Sequence, residues 1–268
     1  MSEIYLGSTL LWNASLEGIF SFIYSNGLDG VEMWAQHWFE RGYSIEEYQR
    51  LSALYPVKTV VHSCSWDLNP SSLNESIRKA SVGEIEKSID LAVELNADEV
   101  TVHPGHATVA GNMEEYYPRM HQSLQEILEY AKQKNIDILL EIMEEIPKEY
   151  ATSVGAMKKI TQEMEDEFCY TLDIAHCEGK KEIFTALEEG KHFSKFHISN
   201  RQGKHLHTPL PEGDYDFTEL LPILEKYQLP FVVEGFDSSK EFSVARKNVN
   251  FLKNYGGKKG KKVYWQKQ

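Results

Sequence analysis

The sequence contains few cysteines, and they form neither a disulfide framework nor a thiolate metal site. Cys64, Cys169 and Cys177 are the only three in the 268-residue chain, and no two of them form a CxxC pair. An odd number of unpaired thiols is typical of proteins kept in a reducing compartment. We therefore expect a cytoplasmic protein in which these cysteines pack as small apolar side chains.

Long hydrophobic runs and a basic, cleavable leader are also missing. No apolar run approaches the ~20 residues that a membrane-spanning helix requires. The apolar segment Leu10-Leu11-Trp12 is followed by polar residues, and it has no basic lead or small-residue cleavage site. The sequence therefore predicts neither a membrane partner nor export.

Basic residues are outnumbered, because the chain has 28 Lys and Arg against 41 Asp and Glu and a formal net charge of -13. Nucleic acids and anionic membranes are bound largely through Lys and Arg, so this balance disfavours both as partners. The exception is the C-terminal segment, which carries Lys258, Lys259, Lys261, Lys262 and Lys267. We predict one domain over residues 1–255 and a solvated basic tail over residues 256–268.

Two nucleotide-binding signatures are absent as well, since no G-x-G-x-x-G follows the first apolar run and the chain has no Walker A sequence. The chain does contain eight short apolar runs that alternate with about eight helical segments, which is the pattern of a parallel sheet with crossover helices. The length fits an α/β protein with a single (β/α)8 barrel, and an open doubly wound sheet is the alternative. In a barrel, the C-terminal ends of all strands surround one ring, where we expect the active site.

Local signals predict several element boundaries. Ser15 and Ser44 are suited to be helix N-caps, so helices are predicted over 15–25 and 44–55. The segment 34–43 is too aromatic and irregular for either helix or strand periodicity, and the segment 201–214 is long and His-rich. Both segments are predicted to be loops.

Six apolar runs finish on a residue that can bind a metal: His62, His103, Glu141, Asp173, His197 and Glu234. Four of them, Glu141, Asp173, His197 and Glu234, supply three carboxylates and one imidazole, a set that suits Mn²⁺, Mg²⁺, Co²⁺ or Zn²⁺. For a single residue, a hydrogen bond to a neighbouring loop explains a polar strand end equally well. Six such residues, each at the end of a different predicted strand, indicate a single site.

Further histidines exceed the needs of a four-ligand site. His62, His103, His176 and His207 would lie on the same rim of the barrel. Their number indicates either a second metal ion or imidazoles that bind substrate.

These residues lie in motifs that span nearly the whole chain, and in this order the chain resembles the xylose-isomerase-like superfamily of TIM barrels. That superfamily contains sugar and sugar-phosphate isomerases and epimerases, and also the endonuclease IV type of apurinic-site nuclease. The matching segments are Val61-His62, Asp67-Leu68-Asn69, His103-Pro104-Gly105, Glu141, Leu172-Asp173 with His176, His197, the run from His207 to Phe217, and Val233-Glu234-Gly235.

For an isomerase or epimerase, the resemblance implies one divalent ion held by Glu141, Asp173, His197 and Glu234. The ion, foremost Mn²⁺ or Zn²⁺ with Co²⁺ and Mg²⁺ also suited, would stabilise an enediolate formed from a carbohydrate or sugar phosphate. Glu141 and Glu234 would move the proton, and His176 would bind a substrate hydroxyl.

For a nuclease-type member, the resemblance implies a metal cluster whose additional ligands are His62, His103, His176, His205 and His207, with the metals activating water against a phosphodiester. This chain has His205 where the nuclease pattern has Asp. A third hypothesis is a non-catalytic sensor barrel that keeps the metal site. The presence of both Glu141 and Glu234 argues against it, because a binding module does not need an acid and a base.

Other residues are weaker candidates for substrate contact. The aromatic side chains of Trp34, Trp38, Phe39 and Trp66 could wall a pocket, with plugs of the hydrophobic core as the alternative. Glu32 and His106 follow strand ends. Arg201 and Lys204 could hold a phosphate group, with solvated charge as the simpler explanation. The sequence is compatible with a homo-oligomer.

Overall fold

The computed structural model describes residues 2–109, 111–190 and 192–258. Eight strands form a barrel and two form a hairpin, with the bounds β1 (Ile4–Gly7), β2 (Gly30–Trp34), β3 (Lys58–His62), β4 (Glu99–Val102), β5 (Asp137–Ile142), β6 (Cys169–Asp173), β7 (Phe193–Ile198), β8 (Asn200–Gln202), β9 (His205–Thr208) and β10 (Phe231–Val233). The α-helices are α1 (Leu16–Ser25), α2 (Ala35–Arg41), α3 (Ile45–Leu54), α4 (Glu75–Glu94), α5 (Tyr117–Lys134), α6 (Val154–Thr161), α7 (Lys180–Glu189), α8 (Phe217–Leu224) and α9 (Ser243–Lys258). Four short 3-10 helices span Ser8–Leu11, Met113–Tyr116, Gln162–Glu167 and Glu225–Tyr227.

The barrel is closed and its strand pairs are parallel, in the order β1-β10-β7-β6-β5-β4-β3-β2. This confirms the predicted single (β/α)8 barrel. The register places Asp173 beside His197 and Trp34 beside His62, so residues from different strands reach the same level of the barrel. Side chains alternate along each strand, and those that point inward fill the barrel in layers.

Side-chain caps begin the early helices where the sequence predicts them. Ser15 accepts a hydrogen bond from the backbone N–H of Gly18 at the start of α1, and Ser44 accepts one from Glu47 at the start of α3. No helix in the described part of the chain combines the length and hydrophobicity needed to cross a bilayer.

The prediction of a loop over residues 34–43 is wrong, because this segment contains the helix α2. Its Ala35, His37 and Trp38 are buried against the barrel, and Gly42 ends the helix in the left-handed conformation with φ of 62°. Aromatic residues on several sides of a two-turn helix hide its 3.6-residue period. Packing rather than periodicity decides the structure here.

The prediction of a loop over residues 201–214 is also wrong in part, because β8 and β9 form an antiparallel hairpin at the start of this segment. The side-chain amide of Asn200 holds this insertion together. Its nitrogen donates to the carbonyls of Leu210 and Tyr215, and its oxygen accepts from the backbone N–H groups of Arg201 and Tyr215. The hairpin is thus a compact unit mounted on the end of β7.

The predicted domain boundary falls inside a helix. Helix α9 continues past residue 255 to Lys258. The rest of the predicted basic tail, residues 259–268, lies outside the described residues.

Candidate metal centre

Four side chains converge at the carboxyl ends of neighbouring barrel strands. They are Glu141, Asp173, His197 and Glu234; all are buried, and one ligand atom from each lies within 4.8 Å of the others. Nδ1 of His197 lies 2.9 Å from Oε2 of Glu234 and 3.4 Å from Oε2 of Glu141. The structure therefore brings together the four residues that the sequence predicts as metal ligands.

The converging atoms lack hydrogen-bond partners. Among the described residues, Glu141 Oε1, Asp173 Oδ2, His197 Nδ1 and Glu234 Oε2 are each buried without a hydrogen bond, although Nδ1 of His197 lies close to Oε2 of Glu234. Buried polar atoms are nearly always paired, and ionised carboxylates cannot donate to one another. A divalent cation would satisfy all four atoms, and it accepts this mixture of oxygen and nitrogen ligands. The residues present therefore fit a divalent metal ion.

Burial and charge alter the protonation of these ligands. Burial raises the pKa of Asp173 to about 7, although His176 opposes the rise. Burial also acts to raise the pKa of Glu141, but His103 and His197 outweigh it and hold that pKa well below its ordinary value. A cation that enters the site must displace the proton of Asp173, so metal binding and proton release are coupled.

A second group, His62 and His103, adjoins the ring at Glu141. Nδ1 of His62 donates to the carbonyl of Ser63 at 2.9 Å, which leaves a lone pair on Nε2. That Nε2 lies 3.1 Å from Nε2 of His103 and 3.4 Å from Oε2 of Glu141. The indole of Trp34 stacks on the His62 ring at 3.8 Å between centroids. The hydrogen bond to Ser63 and the stacking on Trp34 hold His62 with its unprotonated Nε2 toward Glu141.

A third group, His176 and His207, adjoins the ring at Asp173. Nδ1 of His176 donates to the carbonyl of Ile142 at 2.9 Å, and its Nε2 faces Asp173 Oδ2 at 3.9 Å. Nδ1 of His207 lies 3.8 Å from the same oxygen. Burial would lower the pKa of His176, but the carboxylates of Asp173 and Glu141 raise it to about 9. His176 is therefore a cationic donor in the metal-free site at neutral pH.

The loops after β3 and β4 are joined beneath the rim by the side chain of Asn69. Its nitrogen donates to the carbonyl of His106, and its oxygen accepts from the N–H groups of Ser71 and His106. A Cβ on Gly105 would lie 2.6 Å from the Asn69 oxygen and 2.3 Å from the Ser71 hydroxyl. Glycine is therefore required at this close approach, which fixes the chain immediately after His103.

A cavity of about 460 Å³ opens over the ring, and its lining includes Trp34, Trp66, His103, His176, His207 and Glu234. Its volume falls within the range of small-molecule sites. Trp12 packs at 5.4 Å from both Trp66 and Phe236, and Phe236 also lines the cavity. The cavity wall therefore includes Trp34 and Trp66 of the predicted aromatic set, together with Phe236, which the sequence did not single out, whereas the predicted Trp38 and Phe39 do not line it.

Two residues predicted to hold a phosphate group are not brought to the ring. The Arg201 guanidinium is nearly buried, and it donates to the carbonyls of Ala175, Cys177 and Gly203. Lys204 is exposed, and it lines a separate cavity together with Arg201. Arg201 is therefore not a phosphate clamp at the ring, because its Nε and Nη1 donors bind backbone carbonyls.

Three other predicted residues lie at different depths. Glu32 has no exposed surface and pairs with Lys195 and His197 below the ring, so it has no surface to offer a substrate. His205 is exposed on the hairpin and lines the cavity, outside the three metal-capable groups of the described residues. His106 is half-buried and is held through its backbone by Asn69, and it does not line the cavity.

Two acidic residues after β5 belong to the rim and were missed from the sequence. Glu144 Oε2 lies 3.6 Å from Nε2 of His176, and both Glu144 and Glu149 have a buried Oε2 without a hydrogen bond. Burial, reinforced by the charge of Glu144, raises the pKa of Glu149 to about 7. In the sequence they look like ordinary solvated loop charges.

A larger cavity of about 900 Å³ lies at the opposite end of the barrel, where its lining includes Tyr5, Lys58, Thr59 and Asn96. It contains none of the three groups of metal-capable side chains. In (β/α)8 enzymes the chemistry takes place at the carboxyl ends of the strands. The smaller cavity over the ring is therefore the candidate active site.

Comparisons with known proteins agree with this architecture. The sequence model of a family described as "Xylose isomerase-like TIM barrel" matches residues 20–255. The chain is 27% identical over 233 residues to an uncharacterized protein of Methanocaldococcus jannaschii, with 85% of each chain covered. It is 26% identical over 123 residues to fructoselysine 3-epimerase of Shigella flexneri, covering 43% of this chain and 45% of that one.

Solved structures resemble the chain over almost its full length. A D-tagatose 3-epimerase-like protein superposes with a TM-score of 0.81 at 25% identity, covering 97% of this chain and 99% of that one. D-psicose 3-epimerase superposes with a TM-score of 0.73 at 16% identity, covering 94% and 97%. The second likeness shows a common fold only.

Proposed function

We propose, since the chain belongs to the xylose isomerase-like TIM-barrel family, that it is a divalent-metal-dependent enzyme that isomerises or epimerises a sugar or sugar phosphate. The observation that carries this proposal is the set of four buried, unpaired ligand atoms on Glu141, Asp173, His197 and Glu234. The epimerase names of a partial sequence relative and of a full-length structural relative support the same reaction class.

A divalent ion bound by these four residues would stabilise negative charge that develops on adjacent carbonyl and hydroxyl oxygens of the sugar. Glu234 reaches the cavity, so its carboxylate is suited to take the proton from carbon. Glu141, the other glutamate of the ring, must carry a proton in order to return one, and the low pKa that His103 and His197 impose on it makes its protonated form a strong acid. Return to the opposite face of the same carbon gives an epimer, and return to the neighbouring carbon gives an isomer. His176 Nε2 would bind a substrate hydroxyl.

Proton transfer at carbon can be tested directly in D₂O. The metal-loaded protein is incubated with ketoses and their phosphates, and the recovered sugars are examined by mass spectrometry and NMR. We expect one deuterium at the carbon next to the carbonyl of a substrate sugar. The Asp173→Ala variant is the control, because it removes one metal ligand while keeping both Glu141 and Glu234. If no ketose or ketose phosphate gains deuterium above this control, the proposal fails.

A second candidate function is an endonuclease-IV-like phosphodiesterase. The observation that favours it is that the two additional groups share Glu141 and Asp173 with the ring, as the ligands of a metal cluster would. The acidic balance of the chain disfavours DNA as its phosphoester, because binding DNA requires local basic surface.

Metal content separates the two functions. We expect about one ion per chain, by elemental mass spectrometry on protein purified without chelator or metal-affinity resin, because four ligands complete a single site. His103→Ala should leave this stoichiometry unchanged, since His103 lies outside the four-ligand set. Two or three zinc ions per chain, with fewer after His103→Ala, would instead support the phosphodiesterase and redirect the substrate search to phosphodiesters.

A further inference from the structure

A chain of buried charges runs through the barrel interior below the metal-capable ring. Nζ of Lys195 lies 2.8 Å from Oε1 of Glu32 and 2.8 Å from Oε1 of Glu99. Glu32 and Lys195 have no exposed side-chain surface, and Glu99 is 17% exposed. Lys195 precedes His197 by two residues on β7, so both side chains point into the barrel. This series of buried charged side chains therefore ends at His197, a predicted metal ligand.

Glu32 is the member of this chain that contacts the ring. Nε2 of His197 lies 3.2 Å from the Glu32 carboxylate, and the hydroxyl of Thr101 donates to the same carboxylate at 3.4 Å. A carboxylate only accepts hydrogen bonds, so Nε2 must carry a proton. When the imidazole of His197 is neutral, Nδ1 then keeps its lone pair. Nδ1 is the atom that faces Glu141 and Glu234.

Structural stability alone explains this arrangement poorly. Removing two charges from water is costly, and replacing a buried ion pair by apolar residues is often neutral or stabilising. A carboxylate behind a metal-binding histidine has a different role, since it fixes the tautomer and the ring orientation of the ligand. The direct contact of Glu32 with His197 matches that role.

We infer, on the basis of the proposed metal-dependent function, that Glu32 is a positioning residue that holds His197 with Nδ1 toward the metal, and that Lys195 holds Glu32 in place. Glu32 acts only through His197, because it has no exposed surface from which to touch a substrate. The buried charges in the barrel interior therefore set the affinity for metal and take no part in proton transfer.

The matched variants are Glu32→Gln and Glu99→Gln. Both exchange a carboxylate at 2.8 Å from Lys195 for an amide of the same shape, but only Glu32 contacts His197. The dissociation constants of Mn²⁺ and Zn²⁺ are measured by competition with a chromophoric chelator, in the absence of any sugar. We expect Glu32→Gln to weaken binding by about 10- to 100-fold, and Glu99→Gln to leave it within about threefold of wild type. Thermal unfolding in chelator reports the structural cost of each variant separately.

Equal dissociation constants for Glu32→Gln and wild type would overturn the inference, and so would equal weakening by Glu32→Gln and Glu99→Gln. If Glu32→Gln does not fold, the double variant Glu32→Gln with Lys195→Met removes the unpaired cation and should show the same weakened binding. Wild-type protein that binds neither ion would refute the metal centre and this inference together. Wild-type protein that binds metal but exchanges no sugar proton would refute the proposed reaction only, and the Glu32 comparison would still decide the inference.

Discussion

Replacing Glu234 by Gln is expected to slow deuterium exchange into the sugar by about 10³-fold or more, because the amide cannot accept the proton from carbon. Glu234 is the carboxylate of the ring that lines the cavity, and its Oε2 has no hydrogen-bond partner. The measurement is the rate of deuterium incorporation by mass spectrometry, with enough metal present to saturate the variant. The amide oxygen can still bind the ion, so loss of metal and loss of the base are separable.

The matched control for this variant is Glu212→Gln, which makes the same chemical change at an exposed residue paired with Lys247. Its exchange rate should equal that of wild type. A folded, metal-loaded Glu234→Gln protein that exchanges protons at the wild-type rate would eliminate Glu234 as the base.

Removing the metal is expected to lower the unfolding temperature by about 10 °C. A ligand present at a thousand times its Kd stabilises the folded state by about 4 kcal/mol, and in a chain of this size each kcal/mol corresponds to about 2–4 °C. The cause lies in the ring, where one buried atom of each of the four residues has no hydrogen bond once the ion is removed. The measurement is calorimetry with and without chelator, followed by addition of Mn²⁺, Co²⁺, Zn²⁺ or Mg²⁺.

The control for metal removal is Asp173→Asn at pH 8. Burial raises the pKa of Asp173 to about 7, so the folded protein holds this proton more tightly than the unfolded chain does. The stability that this proton contributes is lost as the pH rises through 7, and at pH 8 the buried carboxylate destabilises the metal-free fold. Asp173→Asn should therefore unfold at or above the temperature of metal-free wild type, and metal should raise that temperature by less than it does for wild type, because a neutral amide oxygen is a weaker ligand than a carboxylate. Chelator-treated and loaded wild type with equal unfolding temperatures would contradict a structural role for the ion.

The convergence of Glu141, Asp173, His197 and Glu234 could be predicted because it depends on a local signal. Each follows or ends a short apolar run, and barrel closure converts that one-dimensional pattern into a ring. Asp173 and His197 lie side by side in the β6–β7 register although neither residue indicates its partner in the sequence. The prediction needed only the fold and the strand ends, and not the pairing of individual side chains.

The features that were missed depend on distant partners. Glu32 and Lys195 are 163 positions apart, and a lysine within a strand normally indicates an exposed face. Arg201 was interpreted as a substrate clamp because nothing near it in the sequence reveals the carbonyls of Ala175 and Cys177. Helix α2 was missed for the same reason, since its stability comes from burial against the barrel. Tertiary contacts, which a single sequence does not encode locally, decided each case.

The sequence of the hairpin β8–β9 can change in evolution independently of the barrel strands. It carries His205 and His207 over the cavity, while Asn200 closes it with hydrogen bonds to its own loop. The carboxylates proposed to transfer the proton lie instead at or just after the ends of barrel strands. Mutations that reshape the hairpin can therefore alter which molecule is admitted while the reaction beneath it persists. A laboratory library confined to residues 201–214 would explore new selectivity with little risk to the chemistry.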